Sequence, residues 1–142
     1  MRHVLTPLRR YADFSGRSRR REFWSFTLAV MAAEIVLFAA IAWAAFGSEG
    51  RMTAAVAIPF VVLLLLGLGL FVPSLALVVR RLHDQGRSGL VLLVAFVPIL
   101  GALVLLALMC VEGTPGPNRY GPDPKGEAQG EGSPVAGAGS PR

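Results

Sequence analysis

Three long apolar segments restrict what this sequence can fold into. Phe23–Phe46, Thr53–Val79 and Leu90–Val111 together contain a single charged residue, Glu34. Each segment is longer than the ~20 residues that a helix needs to cross the ~30 Å hydrocarbon layer of a bilayer. Only 16% of the chain is charged, whereas soluble domains contain about 25%. The pattern argues against an aqueous enzyme and predicts an integral membrane protein.

The segments predict an all-α fold in one membrane domain over residues 1–124. Lipid offers the backbone no hydrogen-bond partners, so membrane-spanning segments form helices or closed barrels, and three segments are too few for a barrel. We expect three transmembrane helices over about 23–46, 53–79 and 90–111. Pro98 leaves a second possibility open, in which a break makes the third segment a re-entrant hairpin. Residues 125–142 are rich in Gly and Pro and are predicted to be a disordered tail.

The cationic residues predict the orientation, because loops rich in Lys and Arg stay cytoplasmic. Seven arginines precede the first segment, and three more lie between the second and the third. With a cytoplasmic N-terminus, ten of the 14 cations face the cytoplasm. The first apolar segment is too long for a cleaved signal peptide. We therefore expect a multi-pass protein whose net charge of +5 reflects its topology.

The first 22 residues predict an amphipathic helix that lies in the headgroup layer. Apolar residues recur there at helical spacing, opposite arginines. We expect Thr6 to cap this helix, Pro7 to occupy its first position and Gly16 to end it. Ser18 is predicted to cap the first transmembrane helix, and Trp24 to lie at the membrane interface.

Glu34 is the one intramembrane acid. It lies twelve residues beyond Glu22, which corresponds to about 18 Å along a helix and places it near the middle of the membrane. A functional interpretation makes it a protonatable group in a transport path. We favour the alternative, a neutral carboxylic acid bonded to a neighbouring backbone carbonyl, because neither of the other two segments offers a basic partner.

The loop between the second and third segments is the densest polar cluster of the chain. Arg80 and Asp84 are four residues apart, and we expect them to pair on one helical face. Gly86 suits a left-handed helix terminus, and Ser88 can cap the following helix. A tight hairpin with solvated charges would explain most of these residues.

The sequence predicts no metal site, cofactor or catalytic residue. His83 and Asp84 are neighbours and point apart on a helix, so their spacing does not support a catalytic pair. One His and one Asp also supply too few ligands for a metal. Cys110 is the only cysteine, which excludes an intramolecular disulfide. We expect no nucleic-acid partner, because the sequence offers no soluble domain with a basic face.

Three polar segments resemble, in order and spacing, the motifs of one protein family. Residues 14–24 resemble its first motif, F-x-G-R-x-x-R-x-E-[FY]-W, and residues 80–89 its central motif, R-R-L-H-D-x-x-R-S. Residues 113–124 are similar to its closing motif, and Leu90 departs from the family, which often has Trp there. On these residues the chain is identified as a member of the domain of unknown function 805 family, small bacterial inner-membrane proteins. The resemblance implies an inner-membrane location and no particular activity.

The resemblance also implies that the motif residues act together. We expect them to form a polar cluster at the cytoplasmic interface, made of Arg17, Arg21, Glu22, Trp24, Arg80, Arg81, His83, Asp84, Arg87 and Ser88. The closing motif adds Asn118, Arg119, Tyr120, Gly121 and Pro122. With three spans the closing motif lies on the opposite side of the membrane from the cluster, and with a re-entrant hairpin it lies on the same side.

Three functions remain open. We favour a non-enzymatic membrane module whose polar cluster binds anionic lipid headgroups or a partner protein, since arginine suits bidentate contact with phosphate. A small oligomeric transporter or channel is the first alternative, motivated by Glu34 and by prolines in the spans. A membrane-embedded enzyme acting on lipid phosphate, with His83 as acid or base, is the second.

Overall fold

The computed structural model describes the backbone of residues 2–125 and the side chains of residues 5–125. Its elements, in order, are α1 (Arg2–Arg9), α2 (Arg20–Gly47), α3 (Ala54–Asp84), a 3-10 helix (Gly89–Phe96) and α4 (Leu100–Cys110). This part of the chain is all-helical, apart from one isolated β-bridge between Asn118 and Gly121. Beyond Lys125, the predicted disordered tail lies outside the residues that the structure describes.

Helices α2 and α3 form a long antiparallel pair. Both are long and apolar enough to cross a membrane, and they contain the predicted segments 23–46 and 53–79 almost completely. Their apolar side chains are mostly exposed, as for Trp43 at 83% and Phe46 at 89%. Large apolar side chains exposed around a whole helix pair are typical of a surface that meets lipid.

The packed core lies at the end of this pair that carries the arginines. α1, the 3-10 helix and α4 all contact α2 or α3. The buried apolar side chains of the core come from α2, α3 and α4 and are Phe23, Phe26, Leu77, Leu82, Leu108 and Met109. In lipid, close van der Waals packing of such side chains stabilises the contact between helices, because the apolar solvent provides no hydrophobic driving force. Apolar packing therefore holds the N-terminus of α2, the C-terminus of α3 and α4 together.

The third apolar segment is not the continuous helix predicted over Leu90–Val111. It forms the 3-10 helix and α4, which pack against each other and are joined through 97–99. A proline disfavours helical backbone at the residue before it. Val97, which precedes Pro98, is accordingly extended with ψ of 113°, and Ile99 takes a positive φ of 63°. A break at Pro98 is the feature that the second possibility, a re-entrant hairpin, requires.

A glycine allows the two halves of this hairpin to approach. A Cβ atom at Gly101 would lie 1.9 Å from the carbonyl oxygen of Val94 and 3.1 Å from the Cα of Ala95. These are backbone atoms of the facing 3-10 helix, so they cannot rotate away as a side chain would. Any larger residue at this position has to push α4 away from the 3-10 helix.

We predict that Gly101→Ala destabilises the protein by at least the ~1–3 kcal/mol that overpacking costs. Gly67→Ala is the matched control, because a Cβ at Gly67 of α3 meets nothing within 4 Å. Alanine there should be neutral or stabilising, since it favours a helix interior by about 1 kcal/mol over glycine. Thermal unfolding in detergent, followed by circular dichroism, compares the two variants. Equal melting temperatures would contradict the close approach at Gly101.

The N-terminal helix forms, but with other bounds than predicted. Thr6 and Pro7 lie inside α1, so Thr6 is not its N-cap and Pro7 is not its first residue. The helix ends at Arg9, before Gly16, which has a positive φ of 76°. Pro7 is fully buried, so packing against the core outweighs its preference for the first turn of a helix.

A tyrosine attaches the N-terminal segment to the middle of α3. Pro73 has no backbone N–H, so it cannot donate to the carbonyl of Gly69, four residues earlier in the helix. The hydroxyl of Tyr11 donates to this carbonyl oxygen at 2.7 Å. The tyrosine therefore satisfies a backbone acceptor that the proline leaves free and fixes where the segment after α1 crosses α3.

Candidate functional site

Asp84, at the last turn of α3, is the centre of the polar cluster. Its side chain is 6% exposed, and one carboxylate oxygen accepts a hydrogen bond from Nε of Arg17 at 2.9 Å. The other oxygen accepts from a terminal nitrogen of Arg81. Both arginine side chains are buried. A buried carboxylate is stable only with such partners, since an unpaired buried charge costs several kcal/mol.

Arg17 links all three sequence motifs. Besides Asp84, its guanidinium donates to the carbonyl oxygens of Thr114 and Gly116, each at 2.6 Å. The backbone N–H of Thr114 donates to the carbonyl oxygen of Asp84 at 2.9 Å, which extends the same network. A Cβ at Gly113 would overlap the Asp84 carboxylate at 2.0 Å, so only glycine allows the chain to pass this close. These bonds bring the first, central and closing motifs into contact.

The chain that leaves α4 is attached to the end of α3 by two further side chains. Arg81 donates to the carbonyl oxygen of Val111, and Gln85 to that of Leu108. These carbonyls belong to the last turn of α4 or follow it, where helical partners run out. Side chains of the central motif therefore satisfy the C-terminus of α4.

The closing motif folds over the other side of the central loop. The side-chain amide of Asn118 donates to the carbonyl oxygen of His83 at 2.9 Å. The ring of Tyr120 stacks on that of His83, with centroids 3.8 Å apart and planes 5° apart. Arg119 lies over the same tyrosine ring, 4.7 Å from its centroid, and donates to the carbonyl oxygen of Gly86. Gly121 pairs with Asn118 in the β-bridge, which makes the motif an ordered turn.

The predicted pair of Arg80 with Asp84 is wrong, because Asp84 bonds Arg17 and Arg81 instead. Arg80 is completely buried, and its three side-chain nitrogens contact no hydrogen-bond partner among the described residues. Glu22 is the main opposite charge acting on it. One oxygen of Glu22 is itself buried and unpartnered within the same described part. Arg80 thus lies inside the protein, and half-buried Glu22 turns one oxygen toward the interior.

The prediction that Ser18 caps α2 is also wrong. Arg19 is the N-cap of α2 and provides no side-chain cap. Ser18 is fully buried and donates its hydroxyl to the Glu22 carboxylate at 2.8 Å. The carboxylate at the first turn attracts the hydroxyl that would otherwise bond the backbone.

The α3 terminus and the start of the 3-10 helix follow the predictions. Gly86 has a positive φ of 70°, and the N–H groups of Gly86 and Arg87 donate to the carbonyls of His83 and Leu82, which completes a Schellman motif. The hydroxyl of Ser88 accepts from the N–H of Leu90 at 3.3 Å.

The remaining predicted residues lie at the edge of the cluster or away from it. Trp24 is half-buried and packs edge-to-face on Phe23 at 5.4 Å. The side chains of Arg21 and Arg87 are exposed and contact no partner in the described part of the chain. Glu34 is half-buried on α2 and has neither the predicted backbone partner nor another one within residues 5–125.

A cavity of about 570 Å³ opens beside the Arg17–Asp84 pair. It lies between the N-terminus of α2 and the chain that follows α4. Its charged lining residues are five cations and three acids, namely Arg17, Arg19, Arg20, Arg21, Lys125, Asp84, Glu112 and Asp123. Arg20 faces Glu112 at 3.3 Å, while Arg19 and Arg21 face no carboxylate within 4 Å among the described residues. The cavity therefore carries an excess of positive charge.

Two surface carboxylates next to the site remain ionised. Hydrogen bonds from the side chain of Ser15 and from Arg10 hold the pKa of Asp13 well below its usual range. The backbone N–H groups of Lys125 and Gly116 lower the pKa of Asp123 in the same way. Each carboxylate stabilises a turn at one side of the cluster.

The arrangement does not resemble a metal centre in the part of the chain that the structure describes, where no three His, Cys, Asp or Glu side chains converge. The chemistry that it does offer is the binding of anions, since arginine forms paired hydrogen bonds with phosphate and carboxylate.

Sequence reasoning missed several residues of the site. The predicted cluster does not include Arg19, which lies inside the first motif, or Glu112, which directly follows the third apolar segment. Gly113 and Thr114 were part of the closing motif, but their contact with Asp84 required the chain to turn back after α4. The available signal was an adjacent Gly and Thr only one residue after the apolar segment that ends at Val111.

The fold and the site define a small helical membrane protein with one polar, arginine-rich end. Comparison with known proteins agrees with this class. The profile of the family described as Protein of unknown function (DUF805) matches residues 11–122. Inner membrane protein YhaI of Escherichia coli strain K12 is 46% identical over 127 residues, which are 88% of this chain and 97% of that relative. Inner membrane protein YhaH of the same strain is 37% identical over 124 residues, or 85% and 94%.

The chain therefore belongs to this family of inner-membrane proteins of unknown function. No solved structure matches it.

We predict that Asp84→Asn lowers the free energy of unfolding by about 3–5 kcal/mol, because it leaves two buried arginines without their carboxylate. The control is Glu49→Gln, since Glu49 is 84% exposed and faces Arg51 at 3.9 Å. Loss of this exposed pair should cost less than about 1 kcal/mol. Unfolding by denaturant in mixed micelles measures both variants. A loss for Asp84→Asn as small as that of the control would show that the buried pair is not a main source of stability.

Proposed function

We propose that this protein is a non-enzymatic membrane module that binds anionic lipid headgroups in the cavity beside Asp84. The observation that carries the proposal is the pair Arg19 and Arg21, which line the cavity and face no carboxylate among the described residues. Cations without a partner at a membrane interface attract lipid phosphates by about 1 kcal/mol each. Arg20 and Lys125 at the rim add to this attraction.

The proposal divides the arginines of the motifs into two sets. Arg17, Arg80 and Arg81 are buried, and two of them are bonded to Asp84. The guanidinium groups of Arg17 and Arg81 already bond Asp84, and Arg80 is enclosed, so we assign all three to holding the fold. Arg21 is exposed, Arg19 is half-buried, and both line the cavity, so they are assigned to the ligand.

We further propose that two helices cross the membrane and that the third segment enters and leaves on the cytoplasmic side. Three spans would put a bilayer between Thr114 and Asp84, which are hydrogen-bonded. The 3-10 helix and α4 have 8 and 11 residues, or about 16 Å each, roughly half of the ~30 Å hydrocarbon layer. The arginine-rich N-terminus supports a cytoplasmic location for this end. α1 lies beside it as an interfacial helix.

A topology reporter fused after Pro124 tests the re-entrant hairpin. We expect a cytoplasmic readout, since the closing motif and the arginines share one end of the molecule. The same reporter inserted at Gly50, in the α2–α3 connection, is the control and should report the opposite side. An external readout after Pro124, with the control unchanged, would restore the three-span topology.

The double variant Arg19→Gln/Arg21→Gln tests lipid binding. We expect the purified chain to retain anionic phosphatidylglycerol over zwitterionic phosphatidylethanolamine from an equimolar mixture, as measured by native mass spectrometry. The double variant should lose about 2 kcal/mol of this preference, or roughly 30-fold, because two phosphate contacts disappear.

Arg51→Gln is the matched control, because Arg51 is an exposed arginine at the other end of the helix pair. Its preference should stay within twofold of the unchanged protein. Since neither varied side chain has an ion-pair or hydrogen-bond partner among the described residues, their loss should leave the melting temperature unchanged. Equal lipid retention by all three proteins would refute the proposal.

The described geometry gives less support to the alternative functions. A lipid-phosphate enzyme needs an accessible His83, yet Tyr120 covers one face of its ring and its Nδ1 is buried. A transport path would use Glu34, which does not line the cavity at the arginine-rich end.

A further inference from the structure

The charges that line the cavity identify the kind of anion that fits. Of the three acids, Asp84 is neutralised by Arg17 and Arg81. Asp123 accepts hydrogen bonds from the backbone N–H groups of Gly116 and Lys125. These two carboxylates are therefore occupied by bonds inside the protein and compete little for the remaining cations.

Glu112 is in a different position. Its side chain is 72% exposed and lies 3.3 Å from Arg20 and 4.0 Å from Lys125. Ion pairs this exposed contribute about 0–1 kcal/mol. The Glu112 carboxylate thus lies at the rim of the cavity and pairs only weakly with Arg20 and Lys125, to which an incoming anion would also bind.

With Glu112 in place, two cations of the cavity, Arg19 and Arg21, still face no acid among the described residues. A ligand with one negative charge would leave one of them without a counterion. A phosphomonoester carries about −1.5 to −2 at neutral pH and has three oxygens that accept hydrogen bonds. A phosphodiester has a single charge and two such oxygens. The excess of two cations matches the monoester.

We propose that the cavity prefers a phosphomonoester and that Glu112 is a built-in competitor, which the phosphate displaces from Arg20. This inference rests on the proposed binding of anionic headgroups. Arg19 and Arg21 hold the phosphate, and Arg20 exchanges its carboxylate for a phosphate oxygen. The phosphomonoester belongs either to a lipid headgroup or to a soluble molecule, since the cavity opens at the membrane interface.

The test uses the full chain in nanodiscs of phosphatidylcholine that contain either phosphatidic acid, a phosphomonoester lipid, or phosphatidylglycerol, a phosphodiester lipid. We expect the unchanged protein to retain phosphatidic acid at least fivefold better than phosphatidylglycerol. Glu112→Gln should increase the retention of phosphatidic acid about three- to tenfold, because the competing carboxylate is gone. Glu49→Gln removes another largely exposed acid, at the far end of the helix pair, and should change nothing.

The outcomes separate this inference from the function on which it rests. If Glu112→Gln binds phosphatidic acid no better than the unchanged protein, Glu112 is not a competitor. Equal retention of the two lipids overturns the phosphomonoester preference but leaves anionic binding intact. Retention of neither lipid overturns the proposed function itself.

A further arm identifies the source of the phosphate. Glycerol 3-phosphate in solution is added to the protein with phosphatidic acid bound. Displacement at matching concentrations assigns the site to a soluble phosphomonoester, and persistence of the lipid assigns it to a headgroup. Either result supports the shared chemistry, provided that Glu112→Gln strengthens binding of the same ligand.

Discussion

The buried ion pair of Arg17 and Asp84 is the interaction on which the rest of this structure depends. Removing two charges from water costs several kcal/mol per ion, and the cost is recovered only where the geometry satisfies both groups. Asp84 needs two arginines, and Arg17 needs two backbone carbonyls besides the carboxylate. These partners come from three distant parts of the chain, so the pair is stable only when all three meet.

This requirement explains the shape of the third apolar segment. A straight helix would carry the closing motif about 30 Å away from Asp84. The break at Pro98 and the close approach at Gly101 turn the chain back, and Gly113 lets it pass against the carboxylate. Each of these residues looks unremarkable within an apolar or flexible stretch, but together they bring the carbonyls of Thr114 and Gly116 to Arg17.

The same end of the molecule separates two uses of arginine. Arg17 and Arg81 form ion pairs with Asp84 inside the protein, and Arg80 is buried near Glu22. Arg19 and Arg21 follow Arg17 by two and four positions, yet they line the cavity without a carboxylate partner among the described residues. Exposure therefore decides which arginines are free for an anion, and the proposed function depends on this division more than on the total charge.

Much of the fold could be predicted from the sequence by local rules. The apolar segments determined α2 and α3, because a bilayer-length run without charges forms a helix whatever surrounds it. Gly86 and Ser88 determined the turn after α3, because a left-handed terminus and a cap depend on neighbouring residues. The three motifs and their many cationic residues could also be identified from the sequence.

The tertiary structure decided the partners. Spacing along a helix favoured Arg80 as the partner of Asp84, but Asp84 bonds Arg17. Spacing also favoured Ser18 as a helix cap, but its hydroxyl donates to the Glu22 carboxylate. Whether the closing motif meets the central motif depended on the direction of the chain after Pro98, where the sequence favoured a third span and offered the re-entrant hairpin as the alternative. Arg17 bonds Asp84, 67 positions away, and Thr114, 97 positions away. Contacts over such sequence distances follow from packing in three dimensions, and local propensity carries no information about them.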